Sequence, residues 1–177
     1  MREGSDDEYT EYVTARIPAL RRLAYLLTGD GHRADDLVQQ TITTLYVKWS
    51  RARDADHVDA YVRQMLVRTY LDERRLAWAR VRLLWETPEP APATDDGRED
   101  RELVRAALGR VSRRQQAVLV LRFYYDLPVD EVAALIGCSP GTVKTQTSRG
   151  LAALRRLLGP SLEDFPLSAA RLPAASS

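Results

Sequence analysis

The sequence predicts an all-α protein made of two small helical domains joined by a flexible acidic linker. Three observations carry this expectation. Ala, Leu, Val and Arg dominate a chain of 177 residues in which 45% are hydrophobic and 7% aromatic, a mix that favours helix over sheet. Apolar residues return at three- and four-residue steps in three successive stretches of the N-terminal half. Composition then breaks at ETPEPAPATDDGRED, from Glu86 to Asp100, whose prolines and repeated acids cannot bury a core.

The first helix is expected from about Asp7 to Leu27, with Tyr9, Tyr12, Val13, Ile17, Leu20, Leu23, Ala24 and Leu27 on one face. Pro18 lies inside it and predicts a kink or a split. Thr28-Gly29-Asp30-Gly31 is a stop, with glycine suited to the C-terminal cap. A second helix, Arg33 to Trp49, carries Ala34, Leu37, Val38, Thr41, Leu45 and Tyr46. A third, Val58 to Leu84, carries Tyr61, Val62, Met65, Leu66, Leu71 and Trp78. These give a first domain over residues 8–84. The linker follows at 85–100, and several short helices then make a second domain at 101–158. Residues 159–177, with three prolines and many small residues, are expected to be a disordered tail.

Composition excludes several function classes. With 26 Lys and Arg against 25 Asp and Glu, bulk charge points to no nucleic-acid partner. The single cysteine, Cys138, rules out an intrachain disulfide, and with only His32 and His57 a zinc site is not expected. The polar start MREGSDDEYTEY has no apolar core of a signal peptide, and no run approaches a membrane span. A cytoplasmic chain without membrane insertion is therefore expected. There is no phosphate-binding glycine loop, no pocket-like pair of carboxylates and no metal-ligand cluster, so neither an enzyme nor a cofactor is expected.

The most specific motif is VDEVAALIGCSPGTVKTQTSRGLAALRRLL, Val129 to Leu158. Asp130 and Glu131 suit the positive end of one helix. Val132, Ala133, Leu135 and Ile136 form its inner face, with Ala133 small where two helices must cross. Gly137 follows where the chain must turn left-handed, Ser139 is a natural N-cap, and Pro140 fits the first helical position. Val143 then packs the second helix on the first. This is the spacing of a DNA-binding helix-turn-helix. The second helix offers Thr142, Lys144, Thr145, Gln146, Ser148 and Arg149, then Arg155 and Arg156, without one acid from Ser139 to Leu158. A helical hairpin with a solvated basic face is the plainer alternative. Cys138, in the turn, reads as a small packed residue.

Three stretches in order resemble bacterial RNA polymerase sigma factors of the small extracytoplasmic-function type. Arg113 to Arg155 resembles region 4, the −35-binding domain. Asp35 to Trp49, DDLVQQTITTLYVKW, resembles the polymerase-binding helix of region 2. Asp59 to Arg80 resembles the part of region 2 that melts and reads the −10 element. The resemblance spans about residues 8 to 158. It implies two partners, core RNA polymerase and promoter DNA, and admits a third, an anti-sigma factor. Asp35, Asp36, Gln39, Gln40 and Thr43 would dock on the β′ clamp helices, and the β flap is the other polymerase element the chain would meet. Arg63, Arg68, Tyr70, Arg74, Arg75 and Trp78 would hold −10 DNA, with Tyr61 as a further aromatic. Thr142, Lys144, Thr145, Gln146, Arg149, Arg155 and Arg156 would meet the −35 element. The acidic linker would thread channels of the assembled enzyme, or serve as a solvated spacer.

Three positions depart from the family's habit: Arg68 where Asn is frequent, Gln40 where Glu is frequent, and Gln146 where Arg is frequent. The last puts the −35 preference in question. Other readings stay open for single residues. Acids near a helix start also suit its dipole, and each tyrosine or tryptophan could be core. The competing function is a stand-alone helix-turn-helix regulator with the N-terminal helices as a dimerisation or sensing domain, which would not need the Asp35 to Trp49 motif.

Overall fold

A computed structural model describes residues 3–72 and 96–159. Its contacts group the chain into two compact units, Met1–Glu86 and Thr87–Ser177. Within the described residues the first unit has four helices: α1 (Glu3–Thr28), α2 (Gly31–Val47), α3 (Trp49–Arg53) and α4 (Val58–Asp72). The second has α5 (Asp96–Leu108), α6 (Arg113–Leu119), a π-helical turn at Val120–Tyr124, α7 (Val129–Ile136) and α8 (Pro140–Leu158).

Pro18 neither splits α1 nor ends it. It is exposed, as is Thr14, whose carbonyl loses its partner, so water can satisfy that group. The stop after α1 forms as its residues demand. Gly29 takes φ +69° and its N–H donates to Tyr25 O at 2.8 Å. Asp30 caps α2 by accepting from Arg33 N–H at 2.8 Å. The second helix therefore starts two residues earlier than its pattern suggested, at Gly31 rather than Arg33. It also ends sooner: the chain breaks at Lys48, and Trp49 opens the short α3.

The first core gathers Leu20, Leu23, Leu27, Leu37, Leu45, Val62, Leu66 and Val67, all nearly or fully inaccessible. Beside it lies an aromatic group that ties the start of α1 to α2 and α3. The Tyr9 ring meets Tyr46 edge-on at 5.1 Å and Trp49 at 5.6 Å, and the Tyr12 ring lies 5.3 Å from Trp49. Tyr9 Oη donates to Ile42 O at 2.7 Å, and Tyr12 Oη donates to Asp59 Oδ1 at 2.8 Å. Burial, then the Asp59 carboxylate, pushes the Tyr12 phenol well above its ordinary range. Tyr46, expected on the inner stripe of α2, is instead 53% exposed.

In the second unit a capping box starts α6: Ser112 Oγ accepts from Gln115 N–H and Gln115 Oε1 accepts from Ser112 N–H. The π-helical turn ends at Tyr124 with Tyr125 as its cap, and Asp126 takes φ +53°. Arg122 Nη1 braces the exit by donating to Leu127 O at 2.5 Å. Leu121, Val132 and Val143 are buried, Leu154 clusters with Ala107, Val111 and Leu119, and α8 packs on α5, α6 and α7. Gly150 lets α8 approach α6: a Cβ there would lie 2.9 Å from Leu119 Cδ1. The helix α5 begins at Asp96, inside the stretch assigned to the linker at 85–100. The rest of that linker, the tail after Gly159 and the expected end of the third helix at Leu84 lie outside the described residues.

Candidate functional site

Three helical faces carry the residues singled out from sequence, two on the first unit and one on the second. On α2, Asp35, Asp36, Gln39, Gln40 and Thr43 are all exposed, opposite the buried Ala34, Leu37, Val38, Thr41 and Leu45. Because the helix starts at Gly31, neither acid lies in its first turn. Dipole complementarity, which fades beyond that turn, does not explain them. Asp35 is already engaged: Arg21 of α1 grips it with Nε–Oδ1 at 2.7 Å and Nη2–Oδ2 at 3.2 Å. Asp36 stands one position on. The Thr43 hydroxyl donates back to Gln39 O at 2.8 Å.

The exposed face runs further than the sequence indicated. Val47 is 78% exposed and Tyr46 53%, so α2 presents acids at one end, amides in the middle and an apolar tip. Val47 lies eleven residues after Asp36, three helical turns along the same side. The signal was available, since Val47 falls off the inner stripe that Leu37, Thr41 and Leu45 define.

The face on α4 is only partly described. Arg68 is exposed and Arg63 and Tyr61 are half-buried. Tyr70 corrects the sequence reading: it is 1% exposed, one of the largest fully buried side chains, and its ring cannot stack on a base. Its position one helical turn after Leu66 puts it on the inner stripe, where its apolar ring is worth more than an outward-facing one. Arg74, Arg75 and Trp78 lie outside the described residues.

On the second unit, the helix-turn-helix has the local geometry its residues dictate. Gly137 takes φ +76° and ends α7 with its N–H on Ala133 O at 2.9 Å. Ser139 Oγ accepts from Thr142 N–H at 3.1 Å, and Pro140 opens α8. Val143 is wholly buried, and Cys138 is half-buried in the turn. Lys144, Thr145, Ser148, Arg149, Arg155 and Arg156 are exposed. Thr142 and Gln146 are half-buried, and the Thr142 hydroxyl pairs with Ser139 Oγ at 2.9 Å. The outer surface of α8 thus carries four cations and no acid, a field suited to a polyanion. Gly150 was missed from sequence; an isolated glycine inside a helical pattern is the signal that marks it.

Among the described residues no three His, Cys, Asp or Glu side chains gather where they could hold a metal ion. Among the same residues no helix is long and apolar enough to cross a membrane.

Comparison with known proteins agrees with both units. The family model for sigma-70 region 4 matches residues 101–154, and that for the Sigma2 domain of PhyR matches residues 13–58. The RNA polymerase sigma-E factor of Streptomyces avermitilis is 37% identical over 164 residues, covering 89% of each chain. That of Streptomyces coelicolor is 37% identical over 157 residues, 85% of this chain and 86% of the relative. The ECF RNA polymerase sigma factor EcfG of Rhodopseudomonas palustris is 28% identical over 156 residues, 86% of each. Among solved structures, the sigma factor RpoE of Bartonella quintana, crystallised with the anti-sigma factor NepR, shares the fold. Its TM-score is 0.70 at 24% identity, over 86% of this chain and 98% of that one. CnrH, solved with the cytosolic domain of CnrY, gives a TM-score of 0.56 at 21% identity, over 86% and 88%.

Proposed function

The chain belongs to the extracytoplasmic-function sigma factors of bacterial RNA polymerase, and from that premise we propose how its faces divide the work of initiation. Asp36, Gln39, Gln40 and Thr43 on α2, with Asp35 held beside them, dock on the β′ clamp helices of core polymerase. Arg63 and Arg68 on α4, with Arg74, Arg75 and Trp78 beyond it, hold the −10 element as it opens. Thr142, Lys144, Thr145, Gln146 and Arg149 lie near the start of α8, where recognition helices meet base edges. Arg155 and Arg156, towards its end, meet phosphates. The second unit also meets the β flap. The protein contributes recognition rather than bond-making chemistry, and it works in the cytoplasm, where polymerase and chromosome meet. An anti-sigma factor is a fitting partner for these same faces, as NepR and CnrY are for the fold neighbours.

One observation carries this reading over that of a stand-alone regulator. The exposed face of α2, from Asp36 to Val47 over a fully packed core, lies in the Asp35 to Trp49 motif, which a stand-alone regulator would not need. The decisive experiment is run-off transcription with core polymerase on a pool of promoters from the source genome. The chain is expected to direct specific initiation with core and to bind the same duplexes weakly alone. Asp36→Ala and Gln39→Ala should leave folding intact and weaken the complex with core. Tight sequence-specific binding by the free chain, with no effect of these changes on core affinity, would favour the regulator.

A further inference from the structure

The helix-turn-helix contains three glycines, and two have internal reasons. Gly137 adopts a left-handed φ of +76°. Gly150 has no room for a Cβ beside Leu119. Gly141 has neither reason. It is the second residue of α8, it is exposed, its φ is not left-handed, and a Cβ there would meet nothing closer than Ser139 Oγ at 3.8 Å. Alanine would be the better helix former at that position. A glycine that neither conformation nor packing requires, on the outer side of a helix start, leaves space for something outside the chain.

One turn later stands Thr145, also exposed. Its Oγ1 donates to Gly141 O at 3.0 Å, so the hydroxyl hydrogen is spent inside the helix. A threonine held this way has a fixed χ1, and its methyl is the part left on the surface. Helical side chains lean towards the N-terminus, which carries that methyl over the turn that holds Gly141. Gly141, without a Cβ, and Thr145 thus stand one turn apart on the exposed side of α8, the helix that also carries the exposed Lys144 and Arg149. The thymine 5-methyl is the apolar group that the major groove presents, and a threonine methyl is a suitable contact for it.

We propose that Gly141 and Thr145 form a methyl-sized notch that reads a thymine of the −35 element. The proposal rests on the reading of α8 as the helix that faces that element. Thr145 then acts as an apolar reader, not as a hydrogen-bond donor, and Gly141 admits the base edge by lacking a side chain.

The test uses holoenzyme with the full chain and a promoter selected by it. Each −35 thymine is replaced in turn by deoxyuridine, which removes only the methyl. Wild type should weaken about fourfold at one position, the ~0.8 kcal/mol of one buried methyl group at 1.36 kcal/mol per tenfold. Thr145→Val, which keeps the methyl, should preserve that thymine-to-uracil ratio. Thr145→Ser and Gly141→Ala should bring the ratio to about one, with the Tm of Gly141→Ala unchanged or raised. The proposal is overturned if wild type ignores the methyl at every −35 position, or if Thr145→Ser and Gly141→Ala keep the ratio. It is equally overturned if Gly141→Ala weakens all sequences alike with the ratio intact, since the glycine would then admit a phosphate. Lys144→Ala and Arg149→Ala separate this failure from that of the underlying reading. If neither lowers promoter affinity, α8 does not face the DNA and both ideas fall.

Discussion

The two units hold their working faces by different means. In the first, side chains far apart in sequence fix one helix against another: Tyr9 to Ile42, Tyr12 and Arg16 to Asp59, Arg21 to Asp35 and Arg53 to Glu8. In the second, short-range devices do much of the work: the Ser112–Gln115 box, the left-handed Gly137 and the Ser139 cap on α8. The difference follows from what each face must do. A recognition helix has to leave its turn at one angle, and a turn is set by a few consecutive residues. The face proposed to dock, on α2, has to keep its place in a bundle, and that takes links across the bundle.

The same difference decides what could be read in advance. Gly137, Ser139, Pro140 and Val143 each have a local reason, so the helix-turn-helix was legible residue by residue. So was the inner stripe of α2, because Ala34, Leu37, Val38, Thr41 and Leu45 repeat with the helix period. The Arg21 grip on Asp35 was not legible, since nothing within α2 points to a cation fourteen residues earlier. Tyr70 was misread because the helix around it is rich in arginine, while its place one turn after Leu66 and two after Val62 puts it on the inner stripe. Val47 and Gly150 each carried a signal that went unused. Pro18 shows the limit of a local rule: it admits a kink or a split, and the split does not occur, because the exposed side of a long helix tolerates the lost bond.

The comparison can be broken most forcefully at the cores. Leu37 has no accessible surface, so Leu37→Ala should cost the first unit about 2–5 kcal/mol. Thermal denaturation followed by helical signal should show one early transition for that unit, with core binding lost and the second unit's melting retained. A single unchanged transition would mean that the first unit does not depend on this layer. Gly150→Ala is the counterpart in the second unit. With its Cβ 2.9 Å from Leu119 Cδ1, it should destabilise by about 1–3 kcal/mol. The neighbouring Gly141→Ala should not, and the contrast between the two glycines is itself the check.

The long-range links can be weighed one at a time. Tyr12→Phe removes the hydroxyl that donates to Asp59 at 2.8 Å and should cost about 0.5–1.5 kcal/mol near neutral pH. The effect carries a pH signature. The folded Tyr12 phenol is held above its unfolded value of 10.0, mainly by burial and then by Asp59. The neutral form is therefore favoured in the native state, and its contribution is fully present below the unfolded value. As pH rises past that value the unfolded chain releases its proton first, and the contribution is lost. Stability measured in parallel for wild type and Tyr12→Phe should converge in alkali. A gap that widens there would show that the folded phenol is not held above its unfolded value.

The smallest expected effect is the most informative about docking. Arg21 and Asp35 form a two-bond pair, but their side chains are 58% and 50% exposed, so water and salt screen it. A double-mutant cycle with Arg21→Ala and Asp35→Ala should give a coupling of about 0.2–1 kcal/mol to folding, falling as salt is added. If the pair only braced α1 against α2, polymerase affinity would follow stability and hardly move. If it holds the Asp35 carboxylate where α2 docks, Arg21→Ala should change core affinity by more than its effect on stability, and Asp35→Ala should abolish that excess. Asp36, one position on and outside this grip, provides the control: its loss should affect core affinity whether or not Arg21 is present. Equal coupling of Arg21 to both acids in core binding would mean that the guanidinium acts through its charge alone, and that the bidentate geometry has no part in the docking face.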